Sequence, residues 1–194
     1  MVHAIEAFTS INSNNNPVSK MLSIEALKLL GSSIKTAVFD GHNINARSNM
    51  LLGSMLAGKA FANSPVAAVH ALAYPIGGLF NISHGLSNSL VLTSVMKFNS
   101  KNEETKKNYA HLAPYVFKNL DNSKNDEFLC NNFIDGLESL SKELKLPYRL
   151  RDLEIPEEAC KLMASEAMKQ TRLLVNNPRK IEESDAYNIY KSVW

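Results

Sequence analysis

Apolar positions recur at three- and four-residue spacing along almost the whole chain. Strand-like alternation is nearly absent, so the pattern predicts an all-α fold. Residues 2–10 fit a first helix. Asn12 to Asn16 form a polar loop, and Pro17 opens the second helix, where the missing N–H of proline costs nothing. Met21, Leu22, Ile24, Leu27, Leu29 and Leu30 give that helix its apolar face. Gly31 is expected to end it, with a short helix over 33–40 stopped by Asp40-Gly41. Residues 44–62 form a helix rich in small side chains: Gly53, Ser54, Ala57, Gly58, Ala60 and Ala62. Small residues let neighbouring helices approach closely, which marks this helix as the expected centre of the domain. Ser64, with Pro65 in the first turn, is expected to cap the helix that follows.

The stretch from Ala67 to Asn99 carries the most chemical information. An Ala-rich apolar helix is expected to run to Tyr74 and end at Pro75. The pair Gly77-Gly78 then lets the backbone reverse, and a second apolar helix follows over 85–98. His70 and His84 stand 14 positions apart across that turn. One imidazole from within a helix and one from the start of the next can meet at a point, as a metal ion requires of non-adjacent ligands. An isolated histidine is more often structural, and the residues alone leave both readings open.

Beyond residue 100 the chain becomes more charged and richer in Asn and Lys, but the connection is short and not linker-like. Residues 1–194 therefore read as one domain. Amphipathic helices are predicted over 102–118 and 124–144 around an Asp121-Asn122-Ser123 break, with Leu146-Pro147 ending the pair. Pro156-Glu157-Glu158 opens a helix to about Gln170. A loop through Asn176-Asn177-Pro178-Arg179 leads to a last helix with Ser184 as its N-cap.

Composition narrows the function classes. The net charge of +2 and scattered basic residues do not favour nucleic acid, and Lys106-Lys107 beside Glu103 and Glu104 reads as a solvated helix face. Apolar runs fall well short of the ~18 residues of a membrane span, and no signal peptide opens the chain. The only cysteines, Cys130 and Cys160, make no disulfide framework and are expected to be reduced, which suits a cytoplasmic setting. Met50, Met55 and Met96 fall at helical spacing and read as core. His42 reads as a solvated turn residue and His111 as a surface or core-edge group. Ser87 and Asn88 read first as a polar helix turn, secondarily as donors behind His84. Glu6, three positions after His3, is placed either to orient an imidazole or to sit idle on a helix face.

Several segments, in this order and spacing, resemble the iron-containing (group III) alcohol dehydrogenases. They are His3-Ala4-Ile5-Glu6-Ala7-Phe8, the run Met50 to Gly58, the histidine segment above, Leu146 to Leu153, and Asn177-Pro178-Arg179. The resemblance implies a helical bundle like the C-terminal, metal-binding domain of the dehydroquinate-synthase-like fold. It implies His3, His70 and His84 as ligands of Fe2+ or Zn2+. The family's Asp ligand, four positions before the first histidine, would precede Met1. Tyr74 stands where many members carry a proton-relaying histidine. A phenol, titrating near ~10, donates a hydrogen bond but shuttles protons poorly at neutral pH. The family's Gly-rich phosphate loop has no counterpart, because Gly77-Gly78 lacks the strand-turn-helix setting. The chain is thus expected to be the C-terminal half of an NAD(P)-dependent alcohol dehydrogenase acting on a small alcohol or aldehyde, with no nucleotide-binding domain of its own. In such an enzyme the metal acts as a Lewis acid while hydride passes to the nicotinamide.

Pairing with a second copy is a further expectation from the family. Three neutral imidazoles without the Asp imply weaker binding, shifted toward zinc, nickel or copper. The alternative is a folded, catalytically silent remnant. A helical phosphohydrolase would need a His-Asp pair, and none occurs.

Overall fold

The structure, a computed structural model, describes residues 1–121 and 123–194; the expected break at Asn122 lies outside them. The regular elements among these residues are ten α-helices and one 3-10 turn. They are α1 (Val2–Thr9), α2 (Pro17–Phe39), α3 (Ile44–Asn63), α4 (Ala68–Phe80), α5 (His84–Asn99), α6 (Glu103–Val116) and α7 (Asp126–Glu143). The 3-10 turn Leu150–Leu153 follows, then α8 (Ala159–Met168), α9 (Thr171–Leu174) and α10 (Glu183–Ser192). Among the described residues no helix is long and apolar enough to cross a membrane.

Short α1 is buried from Ala4 to Thr9, packed on α2, α3 and α6. Next to it lies α4, buried from Ala68 to Ala73 and again at Pro75 and Ile76. Leu72 and Ile76 of α4, Met96 of α5, Leu112 of α6, Phe133 of α7 and Met163 of α8 are all fully enclosed. Each such side chain contributes roughly 1.5–3 kcal/mol of burial. Buried residues from Ala4 to Val193 form one contiguous cluster. Cys130 and Cys160 are buried free thiols within it.

Local chemistry explains where several helices begin. The Asn16 side chain accepts from the Val18 and Ser19 amides while Ser19 returns a bond to the Asn16 N–H, a complete capping box ahead of Pro17. Asn43, Asn102 and Asn125 cap α3, α6 and α7 in the same way, each accepting one backbone N–H.

Several boundaries differ from expectation. The second helix does not stop at Gly31 but runs on to Phe39. A Cβ at Gly31 would lie 2.9 Å from the Val116 Cα, so the glycine serves the close approach of α2 to the end of α6 rather than a helix end. The helix carrying His70 continues through Pro75, Gly77 and Gly78 to Phe80. Pro75 leaves the Ala71 carbonyl without its helical N–H, and at the next carbonyl, that of Leu72, the buried Tyr190 hydroxyl donates at 2.7 Å. The chain turns instead at Asn81, in the left-handed conformation at φ 59°, which asparagine tolerates. Finally, Ser64 does not cap α4, which starts at Ala68. It ends α3 and donates to the Ala7 carbonyl at 2.5 Å, tying α3 to α1.

The small-residue helix α3 is peripheral rather than central. Only Ala46, Gly53, Ala57 and Ala60 are buried in it, while Leu51, Leu52 and Met55 are exposed. Its small face packs mainly on antiparallel α2, where Leu30 packs on Gly53 and Ser33 accepts from Asn49 at 3.1 Å, and α1 lies against it as well. Of the three methionines expected in the core, Met96 is fully buried, Met50 only partly, and Met55 is 47% exposed. At the other end of the chain, Glu182 caps α10 and Asp185 completes a capping box, so Ser184 lies inside the helix.

Candidate metal centre

His3 lies in the first turn of α1, His70 near the start of α4 and His84 at the first residue of α5. Three helix starts thus meet, and one nitrogen from each ring lies within 4.8 Å of the other two. Ring centroids are 4.7 Å apart for His3 and His70, 5.2 Å for His70 and His84, and 6.2 Å for His3 and His84. Among the described residues these three form the one such cluster. His42 and His111 are exposed, away from it. Burial falls from His70, 2% exposed, through half-buried His3 to exposed His84, so the cluster opens outward on the His84 side.

Polar contacts over long sequence separations fix the C-terminal ends of α1 and α5 and the approach to α4. Asn176 accepts from the Asn12 side chain (2.8 Å) and from the Ile11 amide (3.0 Å), and donates to the Val66 carbonyl at 3.1 Å. It therefore joins the exit of α1 to the approach of α4. Asn99 and Asn177 exchange amide bonds at 2.9 and 2.8 Å, and Arg179 lies over Phe98 at 3.8 Å. The 176–179 loop, expected to be a plain turn, is thus tied into the fold through the buried side chains of Asn176 and Asn177.

Glu6 does orient an imidazole, but that of His70 rather than His3. Its Oε2 lies 2.5 Å from His70 Nδ1, and its Oε1 accepts the Val69 amide at 2.7 Å. The opposite nitrogen, His70 Nε2, is buried without a hydrogen-bond partner. Such an orphan costs about 1–3 kcal/mol unless something meets it. A divalent cation beside His3 and His84 would do so, and neutral imidazole nitrogens are the donors that zinc and iron accept. The residues present therefore fit a metal ion.

Electrostatics point the same way. Burial, then the proximity of the His70 ring, pushes the His3 pKa down to about 4, and the same causes in the same order lower His84. Both rings are thus held neutral at pH 7, the form that binds metal.

Phe61 of α3 stacks on the His3 ring at 4.6 Å, a packing partner that no motif announced. Asn88 donates to the His84 carbonyl at 2.9 Å. Its Nδ2 is almost equidistant from the two ring nitrogens of His84, at 3.4 and 3.3 Å, so it crosses the ring edge rather than capping either lone pair. Ser87 donates to the Ile82 and Ser83 carbonyls and closes the α4–α5 turn. Tyr74, one turn after His70, is 44% exposed with its ring 6.3 Å from that of His84. Gly77 and Gly78 are helical, so they form no phosphate cradle.

Three helix starts thus bring three imidazoles together at an outward-opening edge, and residues 1–194 match the Fe-containing alcohol dehydrogenase family, C-terminal part. The chain belongs to that family. It is 36% identical over 199 residues to long-chain-alcohol dehydrogenase 1 of Geobacillus thermodenitrificans, covering 100% of this chain and 48% of that protein. It is 32% identical over 194 residues to 1,3-propanediol dehydrogenase of Citrobacter freundii, covering 100% of this chain and 49% of that one. The crystal structure of a 1,3-propanediol oxidoreductase superposes with a TM-score of 0.92 at 30% identity, over all of this chain and 49% of the other. The chain thus spans about half the length of the curated relatives it matches.

Proposed function

We propose that these 194 residues are the C-terminal metal-binding domain of an NAD(P)-dependent alcohol dehydrogenase, with His3, His70 and His84 as ligands of one divalent ion, iron or zinc. The observation that carries this reading is the unpartnered, buried Nε2 of His70 facing two further imidazoles. A bound ion supplies Lewis acidity toward an alcohol or carbonyl oxygen. His70 is held from behind by Glu6, and His3 is packed against Phe61, so two of the three rings are preorganised. Tyr74, on the exposed side beside His84, donates a hydrogen bond to the substrate oxygen and helps to orient it.

Nicotinamide binding needs a strand-based nucleotide fold, and no strand occurs among the described residues. The hydride step therefore depends on chain outside these residues, and the isolated 194 residues are expected to be silent. Its substrate is a small alcohol or aldehyde, and exposed apolar side chains on α4 such as Leu79 suit an aliphatic or aromatic one. The test is NAD(P)+-dependent alcohol oxidation by the metal-loaded chain, alone and mixed with the nucleotide-binding half of the Geobacillus relative. Silence alone and turnover in the mixture bears out the dehydrogenase reading. Metal binding without turnover in any such mixture favours a folded remnant.

A further inference from the structure

We infer that Glu6 is the positioning residue of this centre: it fixes His70 as the Nδ1–H tautomer and aims the Nε2 lone pair at the cation site. The inference rests on the metal reading above and deepens it. Glu6 is 4% exposed, and among the described residues its ion-pair partner is His70, with no Lys or Arg against it. A buried carboxylate without a cation is costly. Protonating His70 would not resolve the cost, because Nε2 would become a buried donor, and no acceptor lies within reach. With Nε2 as a lone pair, no donor meets it either. A Lewis acid at Nε2 satisfies that atom and places positive charge one imidazole away from Glu6.

Both carboxylate oxygens are committed as acceptors, Oε1 to the Val69 N–H and Oε2 to the Nδ1–H of His70. The first bond is structural, because the α4 N-cap, Ala67, offers no side-chain oxygen and Glu6 caps the helix from α1. The second sets the chemistry, as a partner on the distal nitrogen of a ligand histidine does.

Glu6→Gln separates the two roles. The amide oxygen keeps the Val69 bond, and the amide NH2 then faces His70 Nδ1. That arrangement demands the opposite tautomer, with the proton on Nε2 where the cation should bind. Two readouts apply to the full chain. Two-bond 15N–1H correlations of the metal-free protein report the tautomer, with His70 assigned by the signals lost in His70→Ala. Titration with Zn2+ or Co2+ reports affinity.

The expected result is Nδ1–H in the wild type, Nε2–H in Glu6→Gln, and affinity reduced about 10- to 100-fold in the variant with a changed Co2+ absorption spectrum. Unchanged tautomer and affinity in Glu6→Gln would reduce Glu6 to a helix cap and overturn the proposal. So would an Nε2–H His70 in the wild type, which needs no variant to fold. If the wild type binds no metal yet shows Nδ1–H, the metal reading fails and the positioning of His70 stands.

Discussion

Replacing His84 by alanine separates metal binding from folding more cleanly than any other change at the cluster. His84 is exposed at the first turn of α5, and its backbone carbonyl, not its ring, holds the 2.9 Å bond from Asn88. Alanine keeps that carbonyl and is a good helix former, so the metal-free variant should stay within about 0.5 kcal/mol of wild type. Metal should then stabilise only the protein that retains all three rings. At free metal 100 times the Kd, binding to the native state adds about 2.7 kcal/mol. For a chain of this size that corresponds to roughly 5–11 °C in Tm, at about 2–4 °C per kcal/mol. Calorimetry of chelator-treated and Zn2+-loaded wild type and His84→Ala reads both quantities. Wild type should gain those degrees and the variant almost none. An equal gain in both proteins would place the ion elsewhere and refute the assignment.

Other predictions follow from burial and packing. His3 has its pKa lowered from 6.5 to about 4 by burial and then by His70, so the unfolded chain takes up a proton in that window that the folded one refuses. Stability of the metal-free protein, full above pH 6.5, should fall as the pH drops toward 4. His3→Gln should flatten that slope in urea melts, and a steeper slope would contradict the cause given. Gly31→Ala forces a Cβ to 2.9 Å from the Val116 backbone and should lower stability by about 1–3 kcal/mol, visible as a lower urea midpoint at unchanged slope. Tyr190→Phe removes the buried 2.7 Å bond to Leu72 and should cost about 0.5–1.5 kcal/mol by calorimetry; no cost would mean the Pro75 helix needs no such support.

The helices were largely legible because their signals are local. Apolar periodicity, Pro17 at a first helical position and asparagine before a helix act within a few residues, and α1, α3, α5, α6 and α7 lie close to where the pattern put them. Gly31 and Pro75 misled because their usual roles are local while their roles here are tertiary. One admits the Val116 backbone, and the other sits beside a carbonyl met by Tyr190 from more than a hundred residues away. The small residues of α3 signalled close packing correctly but not its extent, since only one face of the helix, against α2 and α1, uses them.

At the cluster, the convergence of His3, His70 and His84 followed from family resemblance, with the spacing of the latter two as support. The choice of His70 over His3 as the partner of Glu6 depends on how α1 lies against α4, which no spacing encodes. Asn176 and Phe61 carried no motif at all; a polar loop residue and an aromatic one acquire their roles only when the chain is folded.

The central claim is that three imidazoles hold one ion. Elemental analysis and metal titration of the purified chain, with His70→Ala and His84→Ala alongside, test it most directly. One divalent ion per chain in the wild type, lost in both variants, is the predicted result. A folded wild-type chain that takes up no ion, or variants that bind as wild type does, would contradict it.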